Sequence, residues 1–233
     1  MNWGRIAIGC RCGTGPEPEF LQAWTRFILK ARRPGDIVIS PVIKLPHHYA
    51  AEALVKSFMD CCADTLLSID DDMTFEASDL DAMRDDPRGQ DYDALMALCL
   101  SNNPPHRPII LEPHGAGEWK INPQPPRDAI VDVGIVGLGF TLIRRSLVEK
   151  CRAKVGDDAM LFHWPSRGDS EDAMFSETAR AVGGRLGVMT KVCVGHIVKA
   201  AVRYNHDELA PEFVEQQRFK NLKMMHEREV TTI

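Results

Sequence analysis

The sequence lacks the marks of several protein classes. No apolar stretch reaches the length of about 20 residues that spans a bilayer, and the opening residues 1–5 have no apolar run of the kind found in signal peptides. We therefore expect a cytoplasmic protein. The seven cysteines are odd in number and form no repeated CxxC, which argues against a disulfide framework and against a zinc knuckle. A net charge of −5 gives no basic footprint for nucleic acid.

Two nucleotide-binding fingerprints are also missing. No GxxxxGK[ST] occurs, so a P-loop kinase is excluded. Gly137 and Gly139 begin a pattern like GxGxxG, but Leu142 stands in the third glycine's place, so the dinucleotide fingerprint fails. A nucleotide, if one binds, must be held in another way.

Apolar periodicity predicts short strands alternating with helices, which is typical of an α/β protein with a mostly parallel, doubly wound sheet flanked by helices. The predicted strands are Arg5–Gly9, Asp36–Ser40, Leu66–Ile69, Ala94–Leu100, Ile130–Val133, Leu138–Ile143 and Lys191–Ile197. The predicted helices are 20–31, Ala53–Cys62, a short helix capped by Ser78 with Asp81, Arg145–Lys154 and Asp172–Val182. A proline-rich long loop or loose hairpin is expected over 101–128. We expect a single domain over 1–205 and a helical tail over 206–233.

Three consecutive aspartates, Asp70 to Asp72, end the apolar run Leu66–Ile69. Their mutual repulsion would be offset by a divalent cation. In an extended segment, Asp70 and Asp72 point to one side and Asp71 to the other. A polar turn would also accommodate such a run, but ligands of open α/β sheets bind at the carboxyl ends of strands. The position favours a site for Mg²⁺ or Mn²⁺ carrying a substrate diphosphate.

Two later patterns carry further candidate residues. Glu171 and Asp172 stand in the first turn of a predicted helix, where acidic residues commonly serve as partners of the helix dipole. His196 follows Gly195 at the end of the last predicted strand. A lone histidine is commonly a surface or core residue with its hydrogen bonds satisfied. The evidence for a functional site therefore lies in the order of these patterns along the chain.

Taken together, the patterns resemble the motifs of GT-A glycosyltransferases. Ser68–Asp72 resembles the DxD motif, Ser170–Phe175 resembles the xED motif, and Val194–Ile197 is similar to the segment with the C-terminal metal histidine. Val133–Arg145 resembles the glycine loop and the strand beyond it, and Ala179–Val188 is similar to the helix, glycine turn and strand after xED. The resemblance covers roughly residues 4–200 and is nearest to compact, inverting, single-domain enzymes of phages and bacteria.

This resemblance implies transfer of a hexosyl or pentosyl group from a nucleotide-sugar donor to an acceptor hydroxyl, with inversion. Asp72 and His196 would hold Mn²⁺ or Mg²⁺, and Asp70 would face the metal or the donor ribose. Asp172 would be the general base, and Glu171 would orient the acceptor or the loop.

The implied donor site includes Asp70 and Asp71, Arg11 of the loop that follows the first strand, and two glycines. At Gly137 and Gly139 a Cβ would occupy the space of the donor sugar. Relatives of this type often carry an Arg-Asn pair at the start of the second helix, where this chain has His47–Glu52. No donor contact is assigned there.

Other functions stay open. A sugar nucleotidyltransferase would need a basic, glycine-rich first loop, where this chain has only Arg11, and a sugar- or metal-binding protein without turnover is a further alternative. The acceptor could be a glycan, a protein or a modified DNA base. His163-Trp164 could stack on an acceptor sugar or base. A DNA acceptor predicts a basic groove, for which the candidates are Arg127, Arg144, Arg145, Arg152, Lys154 and Arg167.

Overall fold

The computed structural model describes residues 2–13, 15–101, 106–114, 118–156, 159–164 and 170–198. The strands are β1 (Ile6–Cys12), β2 (Ile37–Val38), β3 (Val42–Ile43), β4 (Thr65–Asp70), β5 (Met73–Thr74), β6 (Ala94–Leu98), β7 (Leu111–His114), β8 (Glu118–Ile121), β9 (Ile130–Asp132), β10 (Phe140–Arg144), β11 (Leu186–Cys193) and β12 (Gly195–His196). The helices are α1 (Pro18–Ala31), α2 (His47–Asp60), α3 (Ala77–Asp85), α4 (Arg145–Val155) and α5 (Glu171–Ala181), with a 3-10 turn at Pro87–Asp91. The tail predicted over 206–233 lies outside the described residues.

The main sheet has the order β2-β1-β4-β10-β6-β11-β9, with β3 also paired to β1. Its β1–β2, β1–β3, β1–β4 and β6–β11 pairs are parallel, which confirms the predicted α/β class with a mostly parallel sheet. β10 and β9, however, run antiparallel to their neighbours. Antiparallel pairing needs only a loop, whereas parallel pairing needs a crossover. The described residues between β6 and β10 contain no helix, so β10 enters the sheet from the opposite end.

Helices cover both faces of the sheet. α2, α4 and α5 bury Leu54, Phe58, Val148 and Phe175 against one face. α1 and α3 bury Phe20, Phe27, Leu80 and Met83 against the other. Side chains of β4 alternate between the two cores, with Leu66 in the first and Leu67 and Ile69 in the second, as the period of a strand requires. This alternation buries β4 up to the residue before Asp70.

Several predicted boundaries were wrong. α2 begins at His47 rather than near Ala53, so its first turn is polar and carries no apolar signal. α3 is capped by Glu76 and Asp79, whose side chains each accept the other's backbone N–H, and not by Ser78 with Asp81. The strand predicted over Lys191–Ile197 is two strands, β11 and β12. The segment 101–128, predicted as a long loop or loose hairpin, does contain a hairpin, formed by β7 and β8.

Arg145 stabilises the end of α2. Its guanidinium donates to the carbonyl oxygens of Phe58, Met59, Cys61 and Ala63 at 2.6–3.1 Å. It also lies over the Phe58 ring, 4.6 Å from the centroid. The last carbonyls of a helix lack intrahelical partners, so this side chain supplies their donors.

We predict that Arg145→Met lowers the free energy of unfolding by about 2–4 kcal/mol, because the four part-buried carbonyls each lose a hydrogen bond. Urea unfolding measures the loss. The exposed Arg26 of α1 gives the matched control, since Arg26→Met is expected to change stability by no more than about 0.5 kcal/mol. Equal effects of the two substitutions would contradict this role for Arg145.

Candidate active site

The site forms where β1 and β4 end side by side. Arg11 and Asp70 are register partners in this parallel ladder. Arg11 was predicted in a loop, but it lies within β1 and is only 4% exposed. Its Nε and Nη2 both lie 2.7 Å from Asp70 Oδ1. The guanidinium is therefore directed at protein carboxylates rather than at solvent.

The other side of the guanidinium reaches the first turn of α5. Arg11 Nη1 donates to Glu171 Oε1 at 3.3 Å. Glu171 is buried, and Ser170 caps the helix by accepting the backbone N–H of Ala173. One buried arginine thus joins β1, β4 and α5, and so brings the DxD-like and xED-like segments together. The sequence analysis missed this contact, although Arg11 stands at the end of the strand that pairs with Asp70.

Asp172 is the next residue of α5 and has an unusual environment. Burial is the largest cause of a pKa of about 7 for Asp172. The positive charge of Arg11 lowers this pKa, and the negative charges of Glu171 and Asp70 raise it. The Asp172 carboxylate accepts the backbone N–H of Leu138, but Oδ1 is buried with no hydrogen-bond partner among the described residues. A buried unpaired oxygen is costly, so such a group is a candidate for contact with a ligand.

Asp72 and His196 face each other across the same edge. β12 pairs with β5, and the Ile197 N–H donates to the carbonyl of Asp72. His196 Nε2 consequently lies 3.0 Å from Asp72 Oδ2, while Nδ1 lies 2.9 Å from the Leu100 carbonyl. Because a carbonyl only accepts, Nδ1 carries a proton and Nε2 is directed at the carboxylate. Burial lowers the pKa of His196, but Asp72 raises it more strongly, so the net shift is upward.

Asp71 lies in the turn after β4 and contacts the end of β1 and the loop that follows it. Its Oδ2 accepts the N–H of Gly13 at 3.0 Å, and its own N–H donates to the Arg11 carbonyl. Burial raises the pKa of Asp71. The side chain fastens the loop after β1 to the aspartate turn, and its assignment to the donor site stays a prediction.

The glycine loop borders both groups of carboxylates. The Gly139 carbonyl accepts the Asp70 N–H. A Cβ at Gly139 would lie 3.6 Å from Asp70 Oδ2, and a Cβ at Gly137 would lie 3.6 Å from Asp172 Oδ2. The bare backbone at Gly137 and Gly139 therefore lies close to the two carboxylates, and a Cβ there would also contact the sulfur of Met96 or Met73.

Aromatic side chains lie at the start of α2. Tyr49 and Trp164 are exposed, and both contact the His48 ring, with centroids 4.3 and 6.2 Å away. Trp164 follows the buried Phe162, which stacks on Phe175 of α5. The sequence analysis named Trp164 as a stacking residue but not His48 or Tyr49, because it placed the start of α2 after them. A stacking role for Trp164 stays a prediction.

The arginines predicted to line a DNA groove have other contacts. Arg144 donates to the carbonyls of Tyr92 and Gln90, and Arg145 caps α2. Arg152 pairs with Glu52, whose carboxylate also accepts the N–H groups of the 161–162 segment. Arg167 lies outside the described residues. Three of the six candidates therefore bind other parts of their own domain.

No protein-family model and no curated protein sequence matches the chain. Among solved structures, A197 from STIV matches with a TM-score of 0.49 and 16% identity over 87% of this chain and 98% of that one. GalNAc-T7, crystallised with UDP, GalNAc and Mn²⁺, matches with a TM-score of 0.54 and 12% identity over 85% of this chain. The match covers 44% of the GalNAc-T7 chain, so this chain corresponds to less than half of that protein.

None of the helices in the described part of the chain is long and apolar enough to cross a membrane. The order of the strands, the helices on both faces and the likeness to GalNAc-T7 agree with the resemblance found in the sequence. The chain has a GT-A-like glycosyltransferase fold.

Proposed function

We propose that this chain is a metal-dependent glycosyltransferase that moves a sugar from a nucleotide-sugar donor to an acceptor hydroxyl. One observation carries the proposal: Asp172, with its buried and unpaired oxygen, lies at the same edge of the sheet as the Asp72–His196 pair. A base and a pair of metal donors at one edge are the two requirements of such a transfer. The GT-A-like fold, and a neighbour crystallised with UDP, GalNAc and Mn²⁺, support it.

The donor set fits a divalent cation. A carboxylate oxygen and an imidazole nitrogen lie 3.0 Å apart, and the other ring nitrogen of His196 is bound to a backbone carbonyl, as is usual for a metal-ligating histidine. Among the described residues no three His, Cys, Asp or Glu side chains form a cluster that could hold a metal. The chain therefore supplies Asp72 and His196, and the donor diphosphate and waters supply the rest. Mn²⁺ suits such a mixed set, with Mg²⁺ the alternative.

Asp70 has a different environment from Asp72. Asp70 Oδ1 accepts a hydrogen bond from Arg11. Burial raises the pKa of Asp70, and the charge of Arg11 lowers it by less, so the net shift is upward. Oδ2 lies beside the bare backbone of Gly139. We propose that this second oxygen contacts the donor ribose or the metal, with Asp71 bracing the turn. When bound, the metal neutralises the charge that develops on the leaving diphosphate.

Asp172 acts as the general base. Ionised Asp172 accepts the proton of the acceptor hydroxyl at its unpaired oxygen while that hydroxyl attacks the anomeric carbon. A group with a pKa of about 7 is well matched to proton transfer at neutral pH. The backbone N–H of Leu138 holds the carboxylate in place, and the bare backbone of Gly137 lies beside it.

The contacts of the arginines bear on which acceptor the chain uses. Since Arg144, Arg145 and Arg152 are engaged within the domain, a basic groove for DNA lacks half of its candidates. The exposed Tyr49 and Trp164 offer flat apolar surfaces on which a sugar ring or a base could pack, so they leave this choice to the arginines. A glycan is therefore the acceptor that the described residues favour over a modified DNA base.

The first prediction concerns His196. His196→Ala should weaken Mn²⁺-dependent binding of a nucleoside diphosphate by about tenfold or more, because one metal donor is lost. Calorimetry with UDP, GDP and ADP, each with Mn²⁺ and with excess chelator, measures this. His106→Ala is the control, since the Nδ1 of His106 also binds a nearby carbonyl, that of Ser101. Equal losses in both variants would contradict metal binding by His196.

A second prediction separates catalysis from binding. Asp172→Asn should leave Mn²⁺ and donor affinity nearly intact while turnover falls by about 10²–10⁴-fold, because only the transition state needs the base. Asp72→Asn should weaken donor binding itself. Calorimetry and turnover are measured on both variants. If Asp172→Asn weakened donor binding as much as Asp72→Asn does, or left turnover unchanged, the two roles would be wrongly assigned.

The third prediction is the stereochemistry. A single base on the acceptor side allows one in-line displacement, so the configuration at the anomeric carbon should invert. The product formed from an α-linked donor is analysed by NMR. A β linkage is expected, and an α linkage would show that Asp172 has been given the wrong chemistry.

A further inference from the structure

Arg11 is the charged side chain that contacts both the aspartates at the end of β4 and the first turn of α5. It binds Asp70 at one end of its fork and Glu171 at the other, and it is only 4% exposed. Burial lowers the pKa of Arg11, but the charges of Asp70, Asp172 and Glu171 raise it more, so the side chain stays cationic. The guanidinium therefore offers little open surface to a nucleotide sugar or to an acceptor.

We propose that Arg11 and Glu171 are positioning residues: their contact holds the first turn of α5, and with it Asp172, against the end of β4, and the Arg11 charge favours the ionised form of Asp172. This rests on the proposed role of Asp172 as the base. It replaces the roles that the resemblance implied, namely nucleotide binding for Arg11 and acceptor orientation for Glu171. Both side chains are buried and directed at each other, whereas Asp172 keeps an unpaired oxygen.

The balance of charges makes the proposal testable. Asp172 is faced by Arg11 from β1, Asp70 from β4 and its neighbour Glu171, and the Leu138 N–H adds a donor from the glycine loop. The Cys99 thiol beyond β6 has a pKa of about 12 and stays neutral near pH 7. Removing the cation should therefore make Asp172 harder to ionise, and removing the Glu171 charge should make it easier.

The experiment follows the titration of the Asp172 carboxyl carbon by NMR in ¹³C-aspartate protein, with the resonance assigned by its loss in Asp172→Asn. The midpoint should lie near 7 in the parent. We expect a rise of about one pH unit or more in Arg11→Gln, a smaller rise in Arg11→Lys, and a fall in Glu171→Gln. The acidic limb of kcat/KM against pH should move in the same directions, since the base acts as its carboxylate.

Arg84→Gln is the matched control. Arg84 is also buried and binds Asp36 at 2.6 Å, but it lies outside the site. It should lose stability without moving the Asp172 midpoint. Unmoved midpoints in both Arg11→Gln and Glu171→Gln would overturn the proposal. If Arg11→Gln does not fold, Glu171→Gln decides alone, because Gln keeps the shape and an oxygen for Arg11.

The two proposals fail in different ways. Absence of turnover in the parent with every sugar nucleotide would overturn the proposed function, and the NMR midpoints would still test whether Arg11 and Glu171 set the state of Asp172. Normal turnover with unmoved midpoints would leave the function standing and reduce Arg11 and Glu171 to structural residues.

Discussion

The burial of one cation among acidic side chains is the constraint on which the site depends. Asp70, Glu171 and Asp172 come from two elements far apart in the sequence, and each would repel the others if brought together without compensation. Arg11 lies between them at the end of β1, and its planar fork binds Asp70 and Glu171 at the same time. Removing the cation would leave uncompensated buried charge, which is more costly than losing the contact itself.

The antiparallel direction of β10 has a consequence for the same site. Because β10 runs opposite to β4, it begins where β4 ends, and the glycine loop before it arrives beside Asp70. The loop then presents bare backbone to both Asp70 and Asp172. A wholly parallel sheet would have placed the start of this strand at the other end. The antiparallel direction of β10 thus brings the glycine loop to the site.

Sequence reasoning recovered the fold class and the positions of most elements, because their apolar periods are long and regular. The alternation predicted for Asp70 to Asp72 stays a prediction, because β4 ends at Asp70 and the next two residues form a turn. The start of α2 was missed because its first turn, from His47 to Tyr49, is polar or exposed. The single strand predicted over Lys191–Ile197 was wrong, because the chain leaves the main sheet after Cys193 to pair with β5.

The contacts of Arg11 could not be read from the sequence, since they depend on which strand lies next to β4 and on where α5 begins. Once β1 and β4 are neighbours in register, the partnership of Arg11 with Asp70 follows directly. The contact with Glu171 needs the packing of α5 as well. By contrast, the facing of Asp72 and His196 was implied by the resemblance, and the pairing of β12 with β5 provides it in the structure.

The central claim is that this edge of the sheet transfers sugar with a metal and one carboxylate base. The most direct measurement is a mass-spectrometric screen of sugar nucleotides for release of the nucleoside diphosphate, with Mn²⁺ and with chelator, on the parent chain and on Asp172→Asn. The account predicts turnover of at least one donor that requires the metal and falls steeply in Asp172→Asn. Turnover that is equal with Mn²⁺ and with chelator, or unchanged in Asp172→Asn, would contradict it.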